Sequence, residues 1–196
     1  RILNPMRVIN YLNLLSAIIT KGKLIYVHFG ITHRCNLQCR MCSIWESVRS
    51  KSEELTLDEI KSVADILKSL GIITISLGGG EPFLREDLKE IIKAFIQRGF
   101  RVRLLTNGTL IKEDILKDLV NLGLRDISIS LDTLSPKKQS YICNQEGIWN
   151  KVIDSLVLVS KLFPKQGSLL LVNTIVSRLN LEELPSLAKF VGKLGY

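Results

Sequence analysis

Five apolar, strand-like runs alternate with five amphipathic helical stretches along the 196 residues of this chain. The runs are short and rich in Val, Ile and Leu, which is typical of strands covered on both faces. They span residues 24–31, 72–77, 101–105, 126–131 and 168–176. The predicted helices span residues 56–70, 88–97, 112–121, 148–162 and 181–193. Five consecutive strand–helix units predict an α/β fold with a parallel sheet and helices outside it.

Composition does not decide whether this sheet curls as a barrel or lies open as a doubly wound layer. In both arrangements, ligands bind at the carboxyl ends of the strands. We expect the domain to cover 23–196, after an N-terminal helical segment at 1–22. The run from Pro5 to Thr20 has apolar residues at helical spacing but is short for a membrane span. A helix packed on the domain is the interpretation we favour over contact with a membrane surface.

Three cysteines, Cys35, Cys39 and Cys42, follow the first predicted strand with C-x3-C-x2-C spacing. The chain has only four cysteines, which argues against a disulfide framework and favours the cytoplasm. A [4Fe–4S] cluster contains four irons and usually takes four cysteines. Three clustered cysteines therefore predict a cluster with one iron open to another ligand.

A structural zinc site is the alternative interpretation of this loop. Zinc takes four closed ligands, and His33 or the distant Cys143 would supply the fourth. The sequence lacks the paired C-x2-C knuckles that mark most such sites, so the spacing favours iron and sulfur.

A glycine-rich run, Gly78-Gly79-Gly80-Glu81-Pro82, follows the second predicted strand. Glycine lets the backbone approach a ligand closely, and exposed carbonyls with Glu81 can accept hydrogen bonds from an ammonium group. The pattern of a phosphate-binding loop is missing. A tight turn with no ligand remains the alternative.

Single polar residues follow the later strands. Thr106 and Asn107 stand at the end of the third strand, where a plain turn and a ligand contact are both compatible with them. Ser130 and Asp132 are two residues apart, so on a strand they would face one side and suit the diol of a ribose. The alternative for Asp132 is a cap on the next turn. Asn173 lies in the last apolar run and is predicted to need a hydrogen-bond partner.

Taken in order, these motifs resemble the radical S-adenosylmethionine (SAM) superfamily over about residues 23–193. The run 172–176, followed by Asn180, is similar to the fifth strand of the branch that holds molybdenum-cofactor cyclases and peptide-modifying enzymes. The resemblance implies a partial (β/α)6 TIM-like barrel. Five units are present and a sixth strand is missing, so we expect this chain to be part of a longer protein.

The resemblance also implies residue roles. Cys35, Cys39 and Cys42 would hold the [4Fe–4S] cluster, whose open iron would bind the amino and carboxylate groups of SAM. The methionine amino group would be held by Gly79, Gly80 and Glu81. The rest of the cofactor pocket would be formed by Met41 beside the adenine, by Ser130 and Asp132 at the methionine or ribose, and by Thr106, Asn107 and Asn173.

The implied activity is that of a radical SAM iron–sulfur oxidoreductase or maturase. A reduced cluster would cleave SAM to a 5′-deoxyadenosyl radical that abstracts hydrogen from a peptide or cofactor-precursor substrate. An acidic electron donor such as a flavodoxin or ferredoxin is the expected partner. Arg34 and Arg40 would stabilise the cluster, dock that donor or simply be solvated. A glycyl-radical activase and a non-catalytic, zinc-stabilised binding module are the alternative functions.

Two further features of the sequence bear on ligands. The branch often has an Arg-Gly pair near the SAM carboxylate, where this sequence has Cys143-Asn144. Another residue must replace the arginine or SAM binds more weakly, and Cys143 itself is predicted to be a small buried residue. The formal net charge is +8, but the basic residues are scattered and no aromatic ladder accompanies them, so no nucleic-acid partner is predicted.

Overall fold

The computed structural model describes residues 25–47 and 53–196, so the helical segment predicted for 1–22 lies outside the described residues. These residues form one five-stranded parallel sheet in the order β1-β2-β3-β4-β5. The strands are β1 (Tyr26–Thr32), β2 (Thr74–Gly79), β3 (Arg101–Thr106), β4 (Asp126–Ser130) and β5 (Leu169–Asn173). The predicted α/β class and its five strand–helix units are confirmed.

Six α-helices connect or follow the strands in the described part of the chain. They are α1 (Leu57–Ser69), α2 (Leu88–Gln97), α3 (Glu113–Leu122), α4 (Pro136–Cys143), α5 (Ile148–Leu162) and α6 (Leu184–Leu194). Short 3-10 turns lie at Ile44–Ser47, Pro82–Leu84 and Leu181–Glu183. Among the helices described, none has the length and apolar character needed to cross a membrane.

Helix α1 begins with the capping box that the sequence predicts. The Thr56 hydroxyl accepts a hydrogen bond from the Glu59 backbone N–H, and the Glu59 carboxylate accepts one from the Thr56 N–H at 2.7 Å. Two of the four N–H groups left open at a helix start are thereby satisfied.

Helix α4 is absent from the predicted elements. Its sequence, PKKQSYIC, has little apolar periodicity, so the pattern used to find the other helices does not detect it. Ser135 and Pro136 supply the missed signal, because Ser135 caps the helix and proline suits its first position. This helix proves to be a contact surface for the cysteine loop.

The core lies between the helices and one face of the sheet. The side chains that β2, β3 and β4 send toward the helices are apolar and fully buried, as Ile75, Leu104 and Ile127 illustrate. The opposite face instead carries polar residues such as Ser76 and Ser128, which are also buried. Apolar and polar residues therefore alternate along these strands. They differ in this from the continuous apolar strands that the sequence predicts for a sheet covered on both faces.

The sheet is open: within the described ranges, β1 pairs only with β2, and β5 only with β4. This is the arrangement of a partial barrel. Strand β5 ends at Asn173, three residues before the predicted end. The Ile175 N–H donates to the Asp132 carboxylate at 2.8 Å, and the Thr174 hydroxyl donates to the Leu131 carbonyl. These bonds to the loop after β4 draw the chain out of the strand.

Candidate cofactor site

The cysteine loop begins where β1 ends and lies directly against the end of β2. The Gly80 N–H donates to the Thr32 carbonyl at 2.7 Å, and the Glu81 N–H donates to the Arg34 carbonyl at 2.8 Å. A Cβ on Gly79 would lie 2.1 Å from the Thr32 oxygen, and one on Gly80 would lie 2.1 Å from the Arg34 oxygen. Both glycines are therefore required for this close backbone contact.

Glu81 joins the ends of β2 and β3. Glu81 is fully buried. Its carboxylate accepts hydrogen bonds from the Thr106 hydroxyl and the Asn107 N–H, each at 2.8 Å, and from the Phe83 N–H at 3.1 Å. Burial raises the pKa of Glu81, and these hydrogen bonds only partly oppose the effect. Three predicted cofactor residues thus lie in mutual contact.

Two amides connect β3 to the interior of the cysteine loop. The Asn107 side-chain N–H donates to the Asn36 side-chain oxygen at 2.9 Å and lies 3.9 Å from the Cys35 sulfur. Asn36 in turn donates to the Thr109 hydroxyl at 2.9 Å. Asn36 and Thr109 are absent from the predicted site, although the position of Asn36 inside the cysteine motif is a signal for it.

The three cysteine side chains differ in exposure. Cys35 and Cys39 are half-buried and pack against the core, whereas Cys42 is exposed, and all three are free thiols. Burial raises the pKa of the Cys35 thiol. The pKa of Cys39 is also raised, first by a hydrogen bond with the Cys143 thiol and then by burial. Without a ligand the Cys35 and Cys39 thiols are therefore protonated at neutral pH, and metal binding to them must release their protons.

The far end of the cysteine loop rests on α4. The Arg40 N–H donates to the Ile142 carbonyl, and its guanidinium donates to the Tyr141 carbonyl, both at 2.9 Å. The Tyr141 ring lies 4.5 Å from the Arg40 guanidinium carbon. Cys143 is buried, as predicted, and its sulfur accepts a hydrogen bond from the Gln139 amide at 3.3 Å.

The donor set fits an iron–sulfur cluster. Within residues 25–47 and 53–196, no three His, Cys, Asp or Glu side chains converge on the position of one metal ion. A [4Fe–4S] cluster does not need such convergence, because its cysteines bind different irons. The cysteine loop offers three free thiols: Cys35 and Cys39 are half-buried against the core, and Cys42 is exposed. The Cys35 sulfur also lies beside the Asn107 amide.

The later strand ends depart from the sequence-based argument. Strand β4 ends at Ser130, so Asp132 lies beyond the strand and the argument that both share one strand face is wrong. Ser130 is exposed, whereas Asp132 is only 3% exposed and burial raises its pKa. Asn173 is exposed at the end of β5, opposite Ser130, so burial does not impose a hydrogen bond on it. Met41 is 46% exposed.

The Arg34 guanidinium is not freely solvated, because it binds the Glu54 carboxylate at 2.9 Å. Glu54 and its second partner, Arg85, are not among the predicted site residues. Asn180 is also missed as a contact: it is buried and donates to the carbonyls of Asp132 and Ile175. No local pattern marks the contact of Glu54 with Arg85 or that of Asn180 with Asp132, because the partners lie 31 and 48 residues apart.

A parallel α/β sheet with a cysteine loop and a glycine-rich turn at one carboxyl edge defines an iron–sulfur enzyme of the partial-barrel class. Residues 29–191 match the Radical SAM superfamily, and the chain belongs to it. The cofactors of this superfamily are a [4Fe–4S] cluster and SAM. Membership makes the chain part of an enzyme and sets aside the zinc-stabilised binding module.

The chain is similar to curated proteins that are named for different enzyme activities. The AdoMet-dependent heme synthase of Methanosarcina barkeri is 34% identical over 174 residues, 87% of this chain and 48% of that protein. The GTP 3′,8-cyclase of Aquifex aeolicus is 33% identical over 86% of this chain and 53% of that protein. The PqqA peptide cyclase of Bradyrhizobium diazoefficiens is 31% identical over 86% and 43%, respectively. The chain spans about half the length of these relatives.

Solved structures share the fold. Streptococcus suis SuiB bound to S-adenosylmethionine matches with a TM-score of 0.70 and 17% identity, covering 100% of this chain and 43% of SuiB. Native anSMEcpe with bound AdoMet matches with a TM-score of 0.65 and 20% identity, covering 86% of this chain and 48% of that one. These likenesses support the partial-barrel fold of the residues that the structure describes.

Proposed function

We propose that this chain is the catalytic core, over 23–196, of a radical SAM enzyme in which Cys35, Cys39 and Cys42 hold a [4Fe–4S] cluster. The observation that carries the proposal is the hydrogen-bonded unit formed by the cysteine loop, the glycine turn and the end of β3. Three cysteine ligands leave one iron open, and SAM is the ligand expected there. When bound and reduced by an electron donor, the cluster would supply the one electron needed to cleave SAM to methionine and a 5′-deoxyadenosyl radical.

The residues of the chain bind and orient the cofactors. The backbone of Gly79 and Gly80 and the negative charge of Glu81 would attract the methionine ammonium group. Half-buried Cys35 and Cys39 keep one side of the site away from water, while Cys42 is accessible from solvent. The remaining pocket would be formed by Met41 at the adenine, and by Thr106, Asn107, Ser130, Asp132 and Asn173.

The proposed substrate is a peptide or a cofactor precursor. Relatives of both kinds exist, since one is named PqqA peptide cyclase and another GTP 3′,8-cyclase. SuiB bound to its precursor peptide SuiA has the same fold, with a TM-score of 0.73. An acidic flavodoxin or ferredoxin in the cytoplasm would supply electrons, approaching on the exposed Cys42 side.

Reductive cleavage of SAM tests the proposal. The anaerobically reconstituted chain, given dithionite and SAM, is expected to release 5′-deoxyadenosine. A variant with Cys35, Cys39 and Cys42 all replaced by Ala should release none, whereas Cys143→Ala, a matched loss of one buried thiol, should keep the activity. Equal product from the triple variant and the parent chain would refute the assignment.

A further inference from the structure

Glu54 is a largely buried carboxylate that lies just before helix α1 and contacts the start of the cysteine loop. Its side chain is 9% exposed and contacts two guanidinium groups, those of Arg34 and Arg85. Neither the cysteine motif nor the glycine turn contains Glu54, yet both of its arginine partners are sequence neighbours of those motifs.

The first partner, Arg34, directly precedes Cys35. Its Nε donates to Glu54 Oε1 at 2.9 Å and its Nη2 donates to Oε2 at 3.1 Å, which is a two-pronged contact. The same Nη2 also donates to the Leu84 carbonyl at 3.2 Å, in the turn that follows the glycines. Arg34 thereby links the start of the cysteine loop to that turn through its side chain.

The second partner, Arg85, follows the glycine turn and is itself buried. Its Nη1 reaches Glu54 Oε2 at 3.4 Å and donates to the carbonyls of Ile31 at 3.3 Å and Leu55 at 3.0 Å. Its other nitrogens bind Asp87 at 2.7 and 2.8 Å. Arg85 thus connects the glycine turn to the end of β1.

One carboxylate therefore meets three segments that surround the proposed site. The third is the end of β1 itself, where the Thr32 hydroxyl donates to Glu54. Burial opposes ionisation of Glu54, but hydrogen bonds from Arg34 and Thr32 outweigh it and lower its pKa. Glu54 is charged at neutral pH, and removing it would leave the buried Arg85 and the half-buried Arg34 guanidinium groups without that partner.

We propose that Glu54 is a positioning residue that fixes the cysteine loop against the Gly79–Gly80 turn and so sets the distance between the cluster and SAM. This inference rests on the proposed function. Glu54 acts through Arg34 on Cys35, and through Arg85 on the turn. Groups that orient metal ligands in this indirect way typically change metal affinity or activity by about 10- to 100-fold when removed.

Glu54→Gln tests the proposal, because glutamine keeps the shape and removes the charge. The matched control is Asp126→Asn, which breaks the two-pronged contact of another buried carboxylate, with Arg101 at 2.6 and 2.7 Å, at the amino end of the strands. Two quantities are measured in the anaerobically reconstituted chain: the rate of iron transfer to a chelator and the SAM concentration that half-saturates the change in the cluster's electron paramagnetic resonance spectrum.

Glu54→Gln is expected to raise both quantities by about tenfold or more, while Asp126→Asn stays near the parent value. Equal changes in the two variants would show general destabilisation and overturn the proposal. The proposal would also be overturned if both quantities for Glu54→Gln stayed within twofold of the parent values. If Glu54→Gln does not fold, Arg34→Lys decides: it keeps the charge but loses the two-pronged contact, and must shift both quantities in the same direction. A parent chain that takes up no iron and sulfide would instead refute the proposed function.

Discussion

The two halves of the sheet's carboxyl edge are built differently. At the ends of β1, β2 and β3, the Glu81 carboxylate and the Asn107 amide join the strands to the cysteine loop in a largely buried network. At the ends of β4 and β5, Ser130 and Asn173 are exposed side by side. The first half is held by the protein's own hydrogen bonds, and the second presents polar groups to solvent.

This difference separates two kinds of site residue. In the buried half, Glu81, Thr106 and Asn107 also hold the fold, so a substitution there changes stability and cofactor binding together. In the exposed half, a side chain can bind a ligand without supporting the fold. Asp132 lies between the two kinds, since it is buried and anchors the Ile175 N–H. Variants in each half can therefore test the distinction.

The largest effect on stability is expected from Gly80→Ala. The added Cβ would lie 2.1 Å from the backbone oxygen of Arg34, which no side-chain movement can relieve. We expect a loss of about 3 kcal/mol or more in the free energy of unfolding, measured by urea denaturation. The control is Gly192→Ala in α6, where a Cβ meets nothing within 4 Å. Equal losses in the two variants would contradict the close backbone contact.

Glu81→Gln is expected to cost about 1–3 kcal/mol of unfolding free energy. Glutamine places an NH2 group where the carboxylate accepts three hydrogen bonds, so at least one buried donor loses its acceptor. Urea denaturation of the ligand-free chain measures the effect. A variant as stable as the parent would show that Glu81 does not hold the buried half together.

The pH dependence of two glutamine substitutions should have opposite signs. The pKa of Glu54 is lowered from 4.5, so its stabilisation is complete above 4.5 and is lost as the pH falls further. The pKa of Glu81 is raised from 4.5, so its stabilisation is complete below 4.5 and is lost as the pH rises through the folded-state value.

Urea denaturation at about pH 4 and pH 7 compares each variant with its parent. The cost of Glu54→Gln should shrink toward the lower pH, whereas the cost of Glu81→Gln should grow. Parallel trends for the two variants would contradict the assigned electrostatics.

The smallest effect on stability is expected from Ser130→Ala, within about 0.5 kcal/mol, because the side chain is exposed. If Ser130 binds SAM, the same variant should weaken SAM binding by roughly fivefold, the loss of about one hydrogen bond. Equilibrium dialysis with the reconstituted chain measures this. Unchanged affinity would remove Ser130 from the proposed pocket.

Much of the fold follows from local patterns. The strand–helix alternation predicts the sheet, and the capping residues of α1 predict its start, because those signals depend on neighbours in sequence. The cysteine loop and glycine turn are also found this way, since parallel strands bring their carboxyl ends to one edge. The close backbone contact explains why residue 80 is a glycine. The sequence alone is equally compatible with a plain turn at this position.

The remaining features depend on contacts between distant residues. Glu54 gains its role from Arg34 and Arg85, which lie 20 and 31 residues away. Strand β5 ends early because the Asp132 side chain, 43 residues away, captures the Ile175 N–H. Neither contact leaves a periodic pattern or a motif in the sequence, so propensity and spacing do not reveal them.

The most direct test of the central claim is the iron and acid-labile sulfide content of the anaerobically reconstituted chain. We predict about four of each per chain for the parent and for Cys143→Ala, with absorbance near 400 nm. The variant with Cys35, Cys39 and Cys42 replaced by Ala should hold neither. Stoichiometric iron and sulfide in that triple variant would contradict the account.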